Sequence, residues 1–172
     1  MWELIRLFTQ IALLRRGPQD VPVSKLLLAL TVSGYLCVNV LVSSMLPPVK
    51  GWPGPLVVDT LFTLLWYVVL LRLAGRPERT VQTATAVFGL QAVLSPLLVA
   101  SEWLMRRAQE SAAWQLPIAC AGLALLVWLI AANGHVVKAA LEWSGIASVA
   151  LVILQVFAGQ LLLLALFAPV ST

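Results

Sequence analysis

The sequence predicts an all-α, polytopic membrane protein, with five transmembrane helices preceded by an amphipathic interfacial helix, in a single integral membrane domain over residues 1–172. Three observations carry this prediction. Five apolar stretches, Lys25–Leu46, Pro55–Leu73, Val81–Trp103, Trp114–His135 and Gly145–Phe167, each run to about 19–24 residues, and a helix needs about 20 to cross about 30 Å of hydrocarbon. Apolar residues make up 61% of the chain and charged ones only 10%, where a soluble domain carries about 25% charged residues. The gaps between the stretches, about ten residues at most, leave no room for a separate soluble domain.

The N-terminal segment Met1–Arg16 lacks the basic start, clean apolar run and small-residue cleavage site of a signal peptide. At about 100° per residue, Leu4, Leu7, Phe8, Ile11 and Leu14 gather on one face, opposite Glu3, Arg6, Thr9, Gln10 and Arg16. Such a helix is expected to lie in the headgroup plane with its apolar face down; packing of that face against the bundle is the alternative. Gly17-Pro18 is expected to stop it, and Ser24 to cap the first span.

The loop Pro47–Pro55 holds four prolines and is stiff, with Pro55 suited to the first turn of the second span. Gly75–Thr80 joins spans two and three, with Thr80 as the expected N-cap. Span three contains Ser95-Pro96, a site for a kink. Trp103–Ala113 reads as a polar loop and Asn133–Ser144 as a mildly charged connection. Small residues Thr85, Gly89, Ala92 and Ala100, then Ala119, Gly122, Ala147, Ala150 and Gly159, suit close helix contact.

Alternate connections differ in charge. With the N-terminus cytoplasmic, the inner segments hold Arg6, Arg15, Arg16, Lys25, Arg72, Arg76, Arg79 and Lys138, and the outer ones Lys50, Arg106 and Arg107. Positive residues favour the cytoplasmic side, so the N-terminus is placed inside and the C-terminus outside. Trp2 and Trp143 then lie near the inner interface, and Trp52, Trp103 and Trp114 near the outer one, while Trp66 and Trp128 are deeper packing residues. Basic residues spread in this way mark orientation, and no nucleic-acid partner is expected.

Chemistry in a membrane shows as polar groups where lipid makes them expensive. Asp59 is the acidic residue clearly within a span. Asn39, Gln91, Ser95 and Gln160 fall at similar depth on spans one, three and five. Asp59 may be read three ways: a carboxylate near the outer surface, part of a polar cluster that holds helices together, or the lining of a small cavity. The sequence favours cohesion over conduction, since a proton or cation route normally shows several ionisable groups in series and polar groups through the whole depth. Cys37 and Cys120 read as small apolar fillers. His135 is the lone histidine, which excludes two-histidine haem ligation. No phosphate loop, nucleophile elbow, HExxH or CxxC is present, so no catalytic, cofactor or metal site is assigned and an enzyme is not expected.

The run Thr80-Val-Gln-Thr-Ala-Thr-Ala-Val-Phe-Gly-Leu-Gln-Ala-Val-Leu-Ser-Pro-Leu-Leu combines a polar start, a central small residue and a later proline. Together with tryptophan-bearing Val127-Trp128-Leu129 and the short basic turn before Ala147, it resembles the Yip (Ypt-interacting protein) domain group of small five-span membrane proteins. The Asp-Leu-x-Gly-Pro signature of eukaryotic members is missing, so a small-GTPase partner is not carried over, and in a bacterium the resemblance implies a fold and no settled activity. The Ala/Leu-rich, lysine-poor composition suggests a bacterial inner membrane. The functional expectation is a structural, membrane-organising or complex-stabilising protein whose partners are the lipid bilayer and either another membrane protein or a second copy. The alternative is a small transporter or channel subunit using the polar cluster around Asp59.

Overall fold

The structure, a computed structural model, describes residues 2–44, 53–108 and 112–167. Six helices account for nearly all of them: α1 (Trp2–Ala12), α2 (Lys25–Ser44), α3 (Pro53–Leu73), α4 (Thr80–Ala108), α5 (Ala112–Leu141) and α6 (Gly145–Phe167). All but α1 are long and apolar enough to cross a membrane. The proline-rich segment Pro47–Trp52, with Lys50 and Trp52, lies outside the described residues, as does the end of the first predicted span at Leu46.

α4 is the central helix. It packs against α1, α2, α3 and α5, while α6 bridges α5 and α3. Of its most apolar stretch 56% is buried by protein, against 6% for α5. The reason lies in its side chains: Thr83–Leu90 is buried throughout, and its small residues Thr83, Ala84, Thr85, Ala86 and Gly89 let neighbours approach closely around Val87, Phe88 and Leu90. By contrast, no residue from 113 to 131 of α5 is buried, although this half is strongly apolar. Lipid is the cover its composition requires. Its small residues Ala119 and Gly122 face outwards and mediate no close contact, and a Cβ at Gly122 would meet nothing within 4 Å. Cys37 and Cys120 are likewise exposed rather than core fillers.

The apolar face of α1 is covered by protein, not lipid. Leu7, Phe8 and Ile11 are buried with Tyr67, Val87, Val136 and Val137, with Leu4 packed beside them. The surface they fill is the protein-covered half of α4 and α5, which offers more apolar contact than a headgroup layer. Gly89 makes this possible: a Cβ there would stand 2.2 Å from the Phe8 ring. The indole of Trp128 donates a 2.7 Å hydrogen bond to the Ala12 carbonyl at the end of α1. The helix also stops earlier than Gly17-Pro18 suggests. Leu14 adopts φ 60°, Arg15 N–H bonds Gln10 O at 2.9 Å, and Leu14 N–H bonds Ile11 O at 2.9 Å. This is a Schellman closure with leucine in the position that glycine prefers. It turns Leu14 away from the face that Leu7, Phe8 and Ile11 share, leaving it exposed.

Other boundaries follow from local chemistry. Ser24 Oγ accepts from Leu27 N–H at 3.2 Å, the N-cap of α2. Gly75, at φ 71°, closes α3. Thr80 has helical angles instead of cap geometry, because a 3₁₀ turn over Pro77–Arg79 runs straight into α4. α4 then passes through Pro96 to Ala108, and α5 continues past Asn133-Gly134-His135 to Leu141, so both are longer than the sequence pattern suggests. The Asn133–Ser144 connection thus shrinks to the few residues after Leu141.

That short connection is pinned. Glu142 takes φ 58° and receives Arg76 at 2.6 Å and Arg79 at 2.7 Å. Arg79 also donates to Ala139 O at 3.3 Å and Ala140 O at 3.1 Å, supplying partners for the free carbonyls that end α5. Hydrogen bonds from the two guanidinium groups hold the Glu142 carboxyl down to about 2.

Two predictions follow from this packing. Gly89→Leu should expel Phe8 and undock α1, so that limited trypsin digestion of the detergent-solubilised protein cuts at Arg6 faster than in wild type; equal rates would mean that α1 is not held at Gly89. The second concerns acid. A carboxyl with a depressed folded-state pKa contributes stability above its ordinary value and loses it as pH falls through the folded value. Wild type should therefore melt above Glu142→Gln near neutrality, with the gap closing between about pH 4.5 and about pH 2. A gap that does not change with pH would remove the ion pairs as its cause.

Candidate functional site

Asp59 sits on α3 about 21 Å from Leu73, at the rise of an α-helix. Its side chain turns to the bundle rather than to the Pro53 end. The Tyr35 hydroxyl of α2 donates to Asp59 Oδ2 at 3.4 Å. The Tyr35 ring is steered by Phe88 of α4, 5.4 Å away between centroids. One turn further along α2, the Asn39 amide donates to Tyr35 O at 2.8 Å and to Ser95 Oγ at 3.3 Å. Ser95 in turn donates to Gln91 O at 2.8 Å.

Two cavities meet at this point. One, of about 250 Å³, lies between α3, α4, α5 and α6, and its polar lining is Asp59, Thr63, Gln91, Asn133, Gln155 and Gln160. The other, of about 220 Å³, lies between α2, α3 and α4 and is lined by Tyr35, Asn39, Asp59, Gln91 and Ser95 together with apolar residues. Asp59 and Gln91 border both. The five sequence-selected residues are thus all placed around Asp59 and Gln91, with Gln160 at an exposed rim. Gly159 forms part of the wall: a Cβ there would lie 3.3 Å from the Phe62 ring and 3.9 Å from Asp59 Oδ1.

Sequence reasoning missed Tyr35, Thr63, Asn133 and Gln155. Tyr35 and Thr63 look like ordinary span residues, and Asn133 stands where the fourth span meets the Asn133–Ser144 connection. Gln155 stands mid-helix in α6 and is 8% exposed, a polar residue deep in a span and hence a signal that could have been used.

Most of the polar side chains do not join helices. Thr31, Thr60, Thr85, Ser95 and Ser148, with the amides of Asn39 and Asn133, each donate to the carbonyl four residues earlier in their own helix. Among the described residues, Tyr35–Asp59 and Asn39–Ser95 are the side-chain pairs that bridge spans within the bundle. Gln91 Oε1 and Asn133 Oδ1 are buried with no hydrogen-bond partner, and both residues line the larger cavity. Tyr67 Oη and Thr83 Oγ1 are also buried without partners.

These groups extend the polar set in depth. Measured along each helix from the end that holds Arg79 and Glu142, Thr83 lies at about 4 Å, Tyr67 at about 9 Å, Asn133 at about 12 Å, Gln155 at about 15 Å and Gln91 at about 16 Å. The sequence located polar residues in one half of the bundle; the structure continues them through the other. Asp59 is the carboxylate among the described residues lining the two cavities. Among the described residues no group of three His, Cys, Asp or Glu side chains is placed to hold a metal ion.

No protein-family model, curated protein or solved structure matches this chain.

The Tyr35–Asp59 contact generates a prediction. Asp59→Asn keeps an acceptor for the tyrosine, whereas Asp59→Leu strands a buried hydroxyl at a cost of roughly 1–3 kcal/mol. The Leu variant should melt below the Asn variant in detergent. Equal melting of wild type, Asn and Leu forms would show that Asp59 holds nothing in place.

Proposed function

We propose that this multi-pass membrane protein is a non-enzymatic binding or transport subunit, working through the cavity around Asp59. The observation that carries the proposal is the pair of unpartnered amide oxygens, Gln91 Oε1 and Asn133 Oδ1, in a cavity that also holds the carboxylate. Buried polar groups are nearly always paired, so such atoms ask for water or a solute. A volume of about 250 Å³ accommodates either, since one water occupies about 30 Å³.

A structural or complex-stabilising role is the second reading. The Tyr35–Asp59 and Asn39–Ser95 bonds favour it, because they tie α2 to α3 and α4. A Yip-like membrane-organising protein would have this character, and that resemblance rests on the α4 and α5 residues that suggested it. The charge distribution supports placing the Arg76–Arg79 end in the cytoplasm of a bacterial inner membrane, with the C-terminus outside.

Cysteine labelling tests both points in a form lacking Cys37 and Cys120. A small water-soluble thiol reagent should modify Thr63→Cys, in the cavity, well above Leu123→Cys, which faces outwards on α5. Equal, slow labelling would mean a dry cavity and leave the structural reading. Applied to intact cells, an impermeant reagent should mark Arg106→Cys and spare Arg76→Cys; the reverse would invert the topology.

A further inference from the structure

We infer that the larger cavity is a site for a single small monovalent cation, either a partly hydrated alkali ion or a primary ammonium group. This deepens the cavity-based reading and rests on it. The argument begins with the sign of the unmet demand. Both amide atoms that are fully buried at the cavity without a partner are oxygens, hence acceptors. Asn133 is 5% exposed, and its amide nitrogen is already committed to Leu129 O at 2.9 Å. The free oxygen is therefore its remaining polar atom, and rotating the amide to offer a donor would break that bond. Gln91 presents the same kind of atom from α4.

Charge gives the second step. Asp59 adds up to one negative charge, and none of the described residues that line the cavity is basic. Its Oδ2 receives the Tyr35 hydroxyl at a long 3.4 Å, leaving the carboxylate poorly served by protein donors. Acceptors with a single carboxylate and no lysine or arginine repel an anion and match one positive charge. Divalent ions are a poorer match: calcium takes six to eight oxygens, usually with several carboxylates, and magnesium parts with its water reluctantly. Size gives the third step. At about 250 Å³ the space exceeds a bare ion and fits one with a few waters, or a short alkylammonium. Water or N–H donors on such a guest supply what Gln91 and Asn133 lack, while Thr63 and Gln155 add further oxygens to the wall.

Thermal melting of the purified protein in detergent tests the inference at constant ionic strength, with choline chloride replaced stepwise by sodium, potassium, ammonium or methylammonium chloride. Choline carries the charge but is bulky and has no N–H. At least one small cation should raise the melting temperature saturably in the wild type. Asn133→Leu should shift the midpoint of that rise at least ten-fold to higher concentration, and Asp59→Asn should abolish the rise. The same cation should slow thiol labelling of Thr63→Cys with Asp59 intact, a readout that does not depend on the Asn variant folding. No difference between choline and any small cation in the wild type would overturn the inference, as would an undiminished response in Asp59→Asn. Rapid labelling of Thr63→Cys that no cation slows would reject the cation while leaving a hydrated cavity. Slow labelling throughout would reject the cavity reading itself.

Discussion

The rest of the bundle depends on the close approach that Gly89 permits at the middle of α4. Four helices converge on α4, and each needs an apolar surface that it can reach. Within Thr83–Leu90, Gly89 leaves room for the Phe8 ring of α1, while Phe88 packs against Tyr35 of α2. In lipid there is little hydrophobic gain from bringing helices together, so contact must come from packing and hydrogen bonds. Small residues on the central helix let large side chains from several helices, Ile11, Tyr67 and Leu71 among them, pack in the core. The exposed first half of α5 is the other side of the same arrangement.

The two ends of the chain's chemistry are kept apart. At one end charge is handled by pairing: Arg76 and Arg79 converge on Glu142, and Arg79 caps α5. There water is available, so these contacts fix the connection geometry more than they add stability. In the middle the chain uses hydroxyls and amides, and most are satisfied within their own helix. A threonine bonded to the carbonyl one turn back is nearly invisible to the neighbouring helix. Counting polar residues in the spans therefore overstates the bonding between them.

The five spans were legible because length, hydropathy and punctuation agreed: apolar runs near 20 residues, Ser24 as a cap, and Gly75 as a stop. What escaped was set by tertiary contacts. Leu14 closes α1 in a conformation normally given to glycine, and nothing in local propensity marks it. The α1 face pattern fixed which residues are covered, but an amphipathic stripe looks the same whether lipid or protein covers it. Asn133-Gly134-His135 reads as a turn, yet it is helical because Gly134 lies against Val149 of α6, where a Cβ would come within 2.8 Å. At the site, Asp59 and its depth-mates could be selected by expense alone. Tyr35, an aromatic in an apolar run, could not be distinguished from a packing residue until Phe88 was seen to aim it.

The energetics weigh against cohesion as the sole role of the polar set. Among the described residues, the Tyr35–Asp59 and Asn39–Ser95 bonds bridge the spans, and in membranes such bonds average about 0.6 kcal/mol each, so together they contribute about 1 kcal/mol. Gln91 and Asn133 each bury an acceptor without a partner, at roughly 1–3 kcal/mol apiece. As cohesion alone the polar set costs at least as much as it returns, and leucine at either position would remove the cost. The balance reverses once something in the cavity supplies the missing donors. Water does so in part, but leaves the Asp59 carboxylate in a space with no positive charge among its lining residues. The small cation proposed above would satisfy the oxygens and the charge together, and its binding would offset that cost.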